Sequence, residues 1–447
     1  MKFQDQKVSK GSSHISQKLQ FEKDKYMLEN MQYNMAFINE LKNLNKKNGN
    51  QISSTDKDKL LIQFQLKYKN YRKNWLNINK LVDENYNFKN PLCLDIETAS
   101  ICDLACPHCF REYIVTPDKI MKEDLYLKIM REVKKLEIPS VKLNWRGEPL
   151  LNPLIDKFIS IAKQNGVLDV SINTNATTLD EKKSKKILNS GLDQIIFSFD
   201  GGTKRTYEKM RPGRFKDNKF DKIYENIKNF FLKKKKENKK FPITKIQMVM
   251  TKDSRNEVKN FHDLFSDLID DVVITQYQER GGKMDDLLPE QKEKLDNYVK
   301  DNENKKINQY IAKVNGDILI SEKRKPCDQI YQRLMVTYNG NVGMCCHDWG
   351  AKHCLGYLDA DGIKDNEKDL RHVYDNTQKN KKGFELLKNI KMPEKYNEPE
   401  KKVSTLNDIW LGKELKKVRD KHNSSEINNI EICKNCSYKE SYHWKKI

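Results

Sequence analysis

Glycine and proline are scarce in this chain, 18 and 12 among 447 residues, and no run of 18 or more apolar residues occurs. The missing run excludes a helical membrane span. The N-terminal stretch "MKFQDQKVSKGSSHISQKL" has no apolar segment of the kind a secretory signal needs, so a cytoplasmic protein is expected. Hydrophobic residues make up 37 % and charged ones 33 %, which describes a polar chain that is not disordered throughout. The length suits two or three domains with a real core.

What is present in number is charge and cysteine. The formal net charge is +20, and much of it sits in lysines beside asparagines, as in "NLNKKNGN" and "LKKKKENKK". Solvated faces account for this as well as nucleic-acid binding does, and attraction of an anionic substrate stays open. Ten cysteines in a reducing compartment point to metal or redox chemistry rather than disulfides. Cys93, alone in "NPLCLDIE", reads as a small buried side chain.

The rhythm of the chain divides it. Over residues 1–90, Met27, Met31, Met35, Ile38, Leu41 and Leu44 recur at helical steps and predict one amphipathic helix. Leu61, Phe64, Tyr68, Tyr71 and Trp75 predict a second. Lys67, Lys69, Arg72 and Lys73 lie between those aromatics, as in a nucleic-acid grip, but a helix with a buried apolar face and solvated lysines gives the same pattern. From residue 91, β-like runs at 92–97, 141–145, 168–173, 194–199, 245–250 and 271–276 alternate with helical stretches. That order predicts an α/β fold with a parallel sheet, coiled or closed towards a barrel. Residues 286–326 read as a polar helical linker. From Cys327 to the end, six of the ten cysteines suggest a small separate domain organised by metal.

Cys102, Cys106 and Cys109 follow the first predicted strand, at the carboxyl end of the sheet where chemistry collects in parallel folds. A closed cluster or a structural zinc wants four protein ligands, and three leave one metal position open. The spacing C-x3-C-x2-C at this place resembles the radical S-adenosylmethionine (radical SAM) superfamily. Three further segments strengthen the likeness. "WRGEPLLNP" is similar to the family's GGEP segment, with Arg146 in place of the first glycine and Gly147, Glu148 and Pro149 kept. "SINTNAT" resembles its TNG segment, with Ala176 for glycine, and "FSFDG" its S-x-D-G. Residues 91–285 are thus identified as a radical SAM core, a partial (β/α)6 TIM-like barrel. The resemblance implies a [4Fe–4S] cluster on the cysteine triplet whose open iron binds S-adenosylmethionine. It implies cofactor contacts from His108, Gly147, Glu148, Pro149, Asn173, Asn175, Ser198 and Asp200. Singly, Asn173, Asn175, Ser198 and Asp200 are as readily strand-end or capping residues.

Twelve residues separate Cys327 from Gly340 and four separate Gly340 from Cys345. This is similar to the opening of SPASM and twitch domains, with Asn339–Gly340 as a hairpin turn. Cys433 and Cys436 would supply the closing C-x2-C. The chain ends eleven residues after Cys436 without further cysteine, so the shorter twitch form with a second, auxiliary [4Fe–4S] cluster is expected on Cys327, Cys345, Cys433 and Cys436. Cys346 or Cys354 could replace one of them, and a zinc site with four cysteines is the ordinary alternative. Asp348 either orients a cluster loop or caps a turn.

The function that follows is reductive cleavage of S-adenosylmethionine and oxidation, or another radical modification, of a small hydroxylated, sugar-like metabolite. The expected reductant is a flavodoxin or ferredoxin; neither a membrane nor nucleic acid is an expected partner. Modification of a ribosomally made peptide is the alternative, and a zinc-binding nucleic-acid module the remote one. No catalytic residue stands out; Glu279 and Arg280, near the last strand, are guesses.

Overall fold

The computed structural model describes residues 14–49, 52–109, 111, 116–251, 253–276, 311–314, 317–324, 326–364, 395–424, 426–434, 436 and 442–446. Glu279 and Arg280 lie outside them. Among the described residues no helix is long and apolar enough to cross a membrane.

Six strands run parallel in chain order: β1 (Cys93–Ile96), β2 (Ser140–Lys142), β3 (Asp169–Thr174), β4 (Gln194–Ser198), β5 (Ile243–Met250) and β6 (Asp271–Gln276). Helices fill the connections, as the strand–helix alternation predicts for a (β/α)6 partial barrel. Helix Glu123–Lys135 shows why they form: Leu125, Tyr126, Ile129, Met130 and Val133 recur at helical steps and are all buried. Glu123 and Asp124 open it and Lys134 and Lys135 close it, matching the helix dipole. Along the strands, Val170, Ile172, Ile195, Phe197, Ile246 and Met248 join the core under these helices. The alternate residues Ser171, Asn173, Ser198, Lys245 and Gln247 therefore line the other face. Ile196 and Val249 share that face, and its polar members pair with one another: Lys245 with Asp271 at 3.3 Å, and Gln247 donating to Thr275 Oγ1 at 3.2 Å.

The C-terminal part is not set apart as the cysteine distribution suggests. Strand β9 (Arg333–Val336) pairs in parallel with the free edge of β1, and β10 (Asn341–Gly343) and β11 (Cys354–Tyr357) extend the same sheet antiparallel. The reason is the edge itself, since unpaired strand groups beside a buried core need a partner. The Asn339–Gly340 turn forms as expected, with Gly340 at φ 89°. Part of the expected helical linker is also strand: β7 (Ile311–Val314) and β8 (Asp317–Arg324) form an antiparallel pair, joined by β12 (Tyr442–Lys446). The sequence between β7 and β8 is Asn-Gly, a pair that favours tight hairpins.

The described residues from 14 to 49 and from 52 to 83 are mostly helical, but the first predicted helix is two. α1 (His14–Glu29) stops and α2 (Met35–Lys47) starts afresh after a short 3-10 turn. Asn34 causes the break: its extended backbone caps α2, and its Oδ1 accepts from the Ala36 N–H at 3.0 Å. In α3 (Ser54–Leu76), Phe64, Tyr68 and Tyr71 are buried while Lys67, Lys69 and Lys73 face water. Arg72 departs from that solvated reading, being buried in an ion pair with Asp24 at 2.9 Å. These helices pack on Leu168, Phe241 and Ile243, and Lys23 pairs with Asp169 at 2.8 Å. They therefore close the amino end of the sheet, opposite the cysteine triplet.

Asn34 Nδ2 also donates to Leu168 O at 2.9 Å and Asp193 Oδ1 at 2.8 Å, fully buried. Asn34→Ala removes a cap and the buried donor to Asp193 Oδ1, while Leu168 O keeps Lys163 Nζ at 3.1 Å, so a loss of about 2–4 kcal/mol is expected in chemical denaturation. A loss below about 0.5 kcal/mol would show that the helices are not anchored here.

Candidate active site

The loop after β1 carries the triplet and is held from four sides. Glu148 N–H donates to Ile101 O at 2.8 Å, and Gly147 lies so close to the loop that a Cβ there would stand 2.3 Å from Ala99 O. Asn175 Nδ2 donates to Asp103 Oδ1 at 2.8 Å and lies 3.9 Å from Cys102 Sγ, while Thr177 Oγ1 donates to Asp103 Oδ2 at 2.6 Å. From below, Arg214 N–H donates to Asp103 O at 2.8 Å and its guanidinium to Cys102 O at 3.2 Å. Finally, Asp200, at the end of β4, meets His108 Nε2 at 3.2 Å, Arg211 Nη2 at 2.6 Å and the Val249 N–H at 2.7 Å. Burial opposes ionisation of Asp200, but Arg211 and His108 outweigh it and hold the carboxyl down to about 2.

The GGEP-like segment explains its own departure. Arg146 makes a bidentate ion pair with Glu97, Nε to Oε1 at 2.6 Å and Nη2 to Oε2 at 2.8 Å, both side chains out of water. Glu97 Oε2 also accepts from the Tyr338 N–H at 3.2 Å, so the pair joins the end of β1 to the β9–β10 turn. Glu148 accepts from Thr174 Oγ1 and Asn175 N–H, each at 2.7 Å, and from Leu150 N–H at 2.9 Å. Burial pushes its carboxyl up to about 7 despite these donors. Pro149 opens the short turn that Glu148 caps. Ala176, where the family has glycine, takes the left-handed φ of 60° that glycine would supply.

Asn173 and Ser198 lie on the polar face near the strand ends. Asn173 N–H donates to Asn144 Oδ1 at 2.7 Å, while its own Oδ1 and His108 Nδ1 are buried without a hydrogen-bond partner among the described residues. Such atoms are costly unless a ligand satisfies them. Burial also raises the Cys102 and Cys106 thiols, so a cation must replace their protons if they are to be thiolates. A [4Fe–4S] cluster with an open iron and a polar cofactor fit this donor set. The sequence reading missed Glu97, Asp103, Arg211 and Arg214. The Arg-Pro-Gly-Arg run at 211–214 is the one visible trace of the last two.

The expected auxiliary ligands share one cavity. Cys327, Cys345, Cys433 and Cys436 line it together with His347 and His422. Cys346 and Cys354 do not: Cys346 Sγ faces Gln329 Oε1 at 3.5 Å, and Cys354 Sγ faces Gly356 O at 3.3 Å within β11. Asp348 closes the loop after Cys345, accepting from Met344 N–H at 3.2 Å and His353 N–H at 3.1 Å. Among the described residues, no three His, Cys, Asp or Glu side chains converge on a single metal ion. Trp145 links this region to the triplet side, its indole N–H donating to Cys346 O at 3.1 Å.

Residues 96–265 match the sequence model of the Radical SAM superfamily, whose members carry a [4Fe–4S] cluster and bind S-adenosylmethionine. Similar curated proteins include the tungsten-containing aldehyde ferredoxin oxidoreductase cofactor-modifying protein of Pyrococcus furiosus, 31 % identical over 24 % of this chain and 30 % of its own. A GTP 3′,8-cyclase of Parasynechococcus marenigrum is 32 % identical over 24 % of this chain and 33 % of its own. The chain thus spans about a third of the length of these relatives. Among solved structures, BtrN with AdoMet and 2-DOIA aligns at 15 % identity over 78 % of this chain and 93 % of that one, TM-score 0.41. Streptococcus suis SuiB bound to S-adenosylmethionine aligns at 19 % over 76 % of each chain, TM-score 0.44.

Two substitutions probe the loop. Arg146→Met leaves Glu97 charged and buried, and should cost about 3–5 kcal/mol in denaturation; a neutral result would mean that water reaches the carboxylate. Gly147→Ala must push the triplet loop away. In a Cys433→Ala/Cys436→Ala background, iron bound after reconstitution should fall by more than half, and undiminished iron would refute the close packing described.

Proposed function

We propose that the radical SAM domain over residues 96–265 works as an enzyme that cleaves S-adenosylmethionine reductively and oxidises a small hydroxylated, sugar-like molecule. When bound and reduced, a [4Fe–4S] cluster on Cys102, Cys106 and Cys109 supplies the 5′-deoxyadenosyl radical that removes a substrate hydrogen. The observation that carries this reading is the clamped triplet loop at the carboxyl end of β1. Three thiols on a rigid loop leave one iron for the cofactor. Gly147 lets the backbone after β2 pack on Ala99 and Ile101 at the start of that loop, and Asn173 Oδ1 and His108 Nδ1 are buried polar atoms that a polar cofactor could satisfy. Asp200 serves by fixing His108 rather than by standing free for a ligand.

Ser198 and Gln247, near the carboxyl ends of their strands on the face away from the core, support a hydrophilic substrate. The four cysteines around the C-terminal cavity support an auxiliary [4Fe–4S] cluster closed by protein ligands, suited to taking up the electron that a two-electron oxidation releases. A flavodoxin- or ferredoxin-type donor would reduce the first cluster. Peptide modification is less well supported, because the N-terminal helices cover the amino end of the sheet rather than the carboxyl end.

Iron content after anaerobic reconstitution tests this. About eight irons per chain are expected, falling to about four in Cys433→Ala/Cys436→Ala, with 5′-deoxyadenosine released by the wild type under a strong reductant. About four irons in both proteins would remove the electron acceptor and, with it, the oxidation. No deoxyadenosine from fully loaded protein would overturn the radical enzyme.

A further inference from the structure

His422 sits in the last turn of helix Lys413–Asn423, buried, and lines the cavity with the four cysteines. The Cys327 backbone N–H donates to its Nδ1 at 3.3 Å. A backbone N–H can only donate, so Nδ1 presents a lone pair, and the neutral ring then carries its proton on Nε2. That nitrogen lies 3.6 Å from Cys433 Sγ. The geometry fixes a tautomer: the peptide of one cysteine turns the ring's only N–H towards the sulfur of another.

We propose, resting on the auxiliary-cluster reading above, that His422 is a positioning residue that donates Nε2–H to the Cys433 sulfur and raises the reduction potential of the auxiliary cluster. A donor to a ligating sulfur favours the more negative, reduced state, and hydrogen bonds to the sulfurs are among the levers that set such potentials. With Nδ1 engaged and Nε2 protonated, the ring is a donor and not a fifth ligand. The consequence is a better electron acceptor.

Two near-isosteric variants separate the ring's two contacts. His422→Asn puts an amide oxygen where Nδ1 accepts from Cys327 and removes the donor to Cys433. His422→Gln puts an amide nitrogen near Nε2 and keeps that donor. Both are made in full-length Cys102→Ala/Cys106→Ala/Cys109→Ala protein, so that one cluster remains, and are followed by iron content and an EPR-monitored redox titration. All should hold about four irons. At the parent's midpoint, the reduced-to-oxidised ratio should fall about tenfold in His422→Asn, equivalent to about 59 mV for one electron. In His422→Gln it should stay within about twofold of the parent. The proposal is overturned if His422→Asn matches the parent, if His422→Gln falls with it, or if His422→Asn loses its iron, which would make the histidine a ligand. Absence of iron in the parent itself overturns the auxiliary-cluster reading and this one together.

Discussion

Glu97 and Arg146 form a bidentate ion pair excluded from water, and three segments meet on it. Glu97 ends β1, Arg146 opens the turn after β2, and the Tyr338 N–H reaches Glu97 from the β9–β10 turn. Two buried charges are costly to desolvate, and the geometry must be good to recover that cost. Here both guanidinium donors face both carboxylate oxygens, and the cation also stacks over Trp145, 5.3 Å from the ring centroid. The pair fixes the backbone on either side of it. One step along, Gly147 presses on Ala99 and Ile101, and Glu148 reaches the end of β3. The arginine that stands in place of the first glycine thus adds one more anchor beside the loop.

The amino end of the sheet is secured in a different way. There the polar strand residues are satisfied by the N-terminal helices and by one another. Lys163 and Asp193 pair at 2.7 Å fully buried, Asp193 also accepts from Asn34, and Arg333 pairs with Asp95 at 2.8 Å beneath the Trp75 ring. Helices α1 to α3 therefore do for this open barrel what further strands and helices do for a closed one. They cap its floor, and the chemistry-bearing residues gather at the carboxyl ends.

Most of the strands were legible because each is short, apolar on alternate positions and bounded by a helix with strong periodicity; β3 and β4 match the sequence expectation within a residue. The cysteine sets stand out in the sequence by their spacing, and four of them, Cys327, Cys345, Cys433 and Cys436, do line one cavity. What periodicity hides is polar work done inside elements. Asn34 interrupts an unbroken methionine and leucine stripe by capping, which no hydrophobic pattern signals. The partnership of β9 with β1 spans more than two hundred residues and depends on a vacant edge, a property of the assembled sheet. Which of the adjacent Cys345 and Cys346 lines the cavity depends on how their side chains point after β10. Arg211 and Arg214 look like two more cations in a chain already rich in them.

The position of β9 also bears on how this protein can be divided. Its four residues cover the whole hydrogen-bonding edge of β1, register for register from Cys93–Arg333 to Ile96–Val336. A barrel fragment ending before Arg333 would bare that edge as a template for intermolecular strand pairing. It would also leave Asp95 without its arginine. The barrel is consequently not a portable module: its first strand is finished by residues more than two hundred positions away.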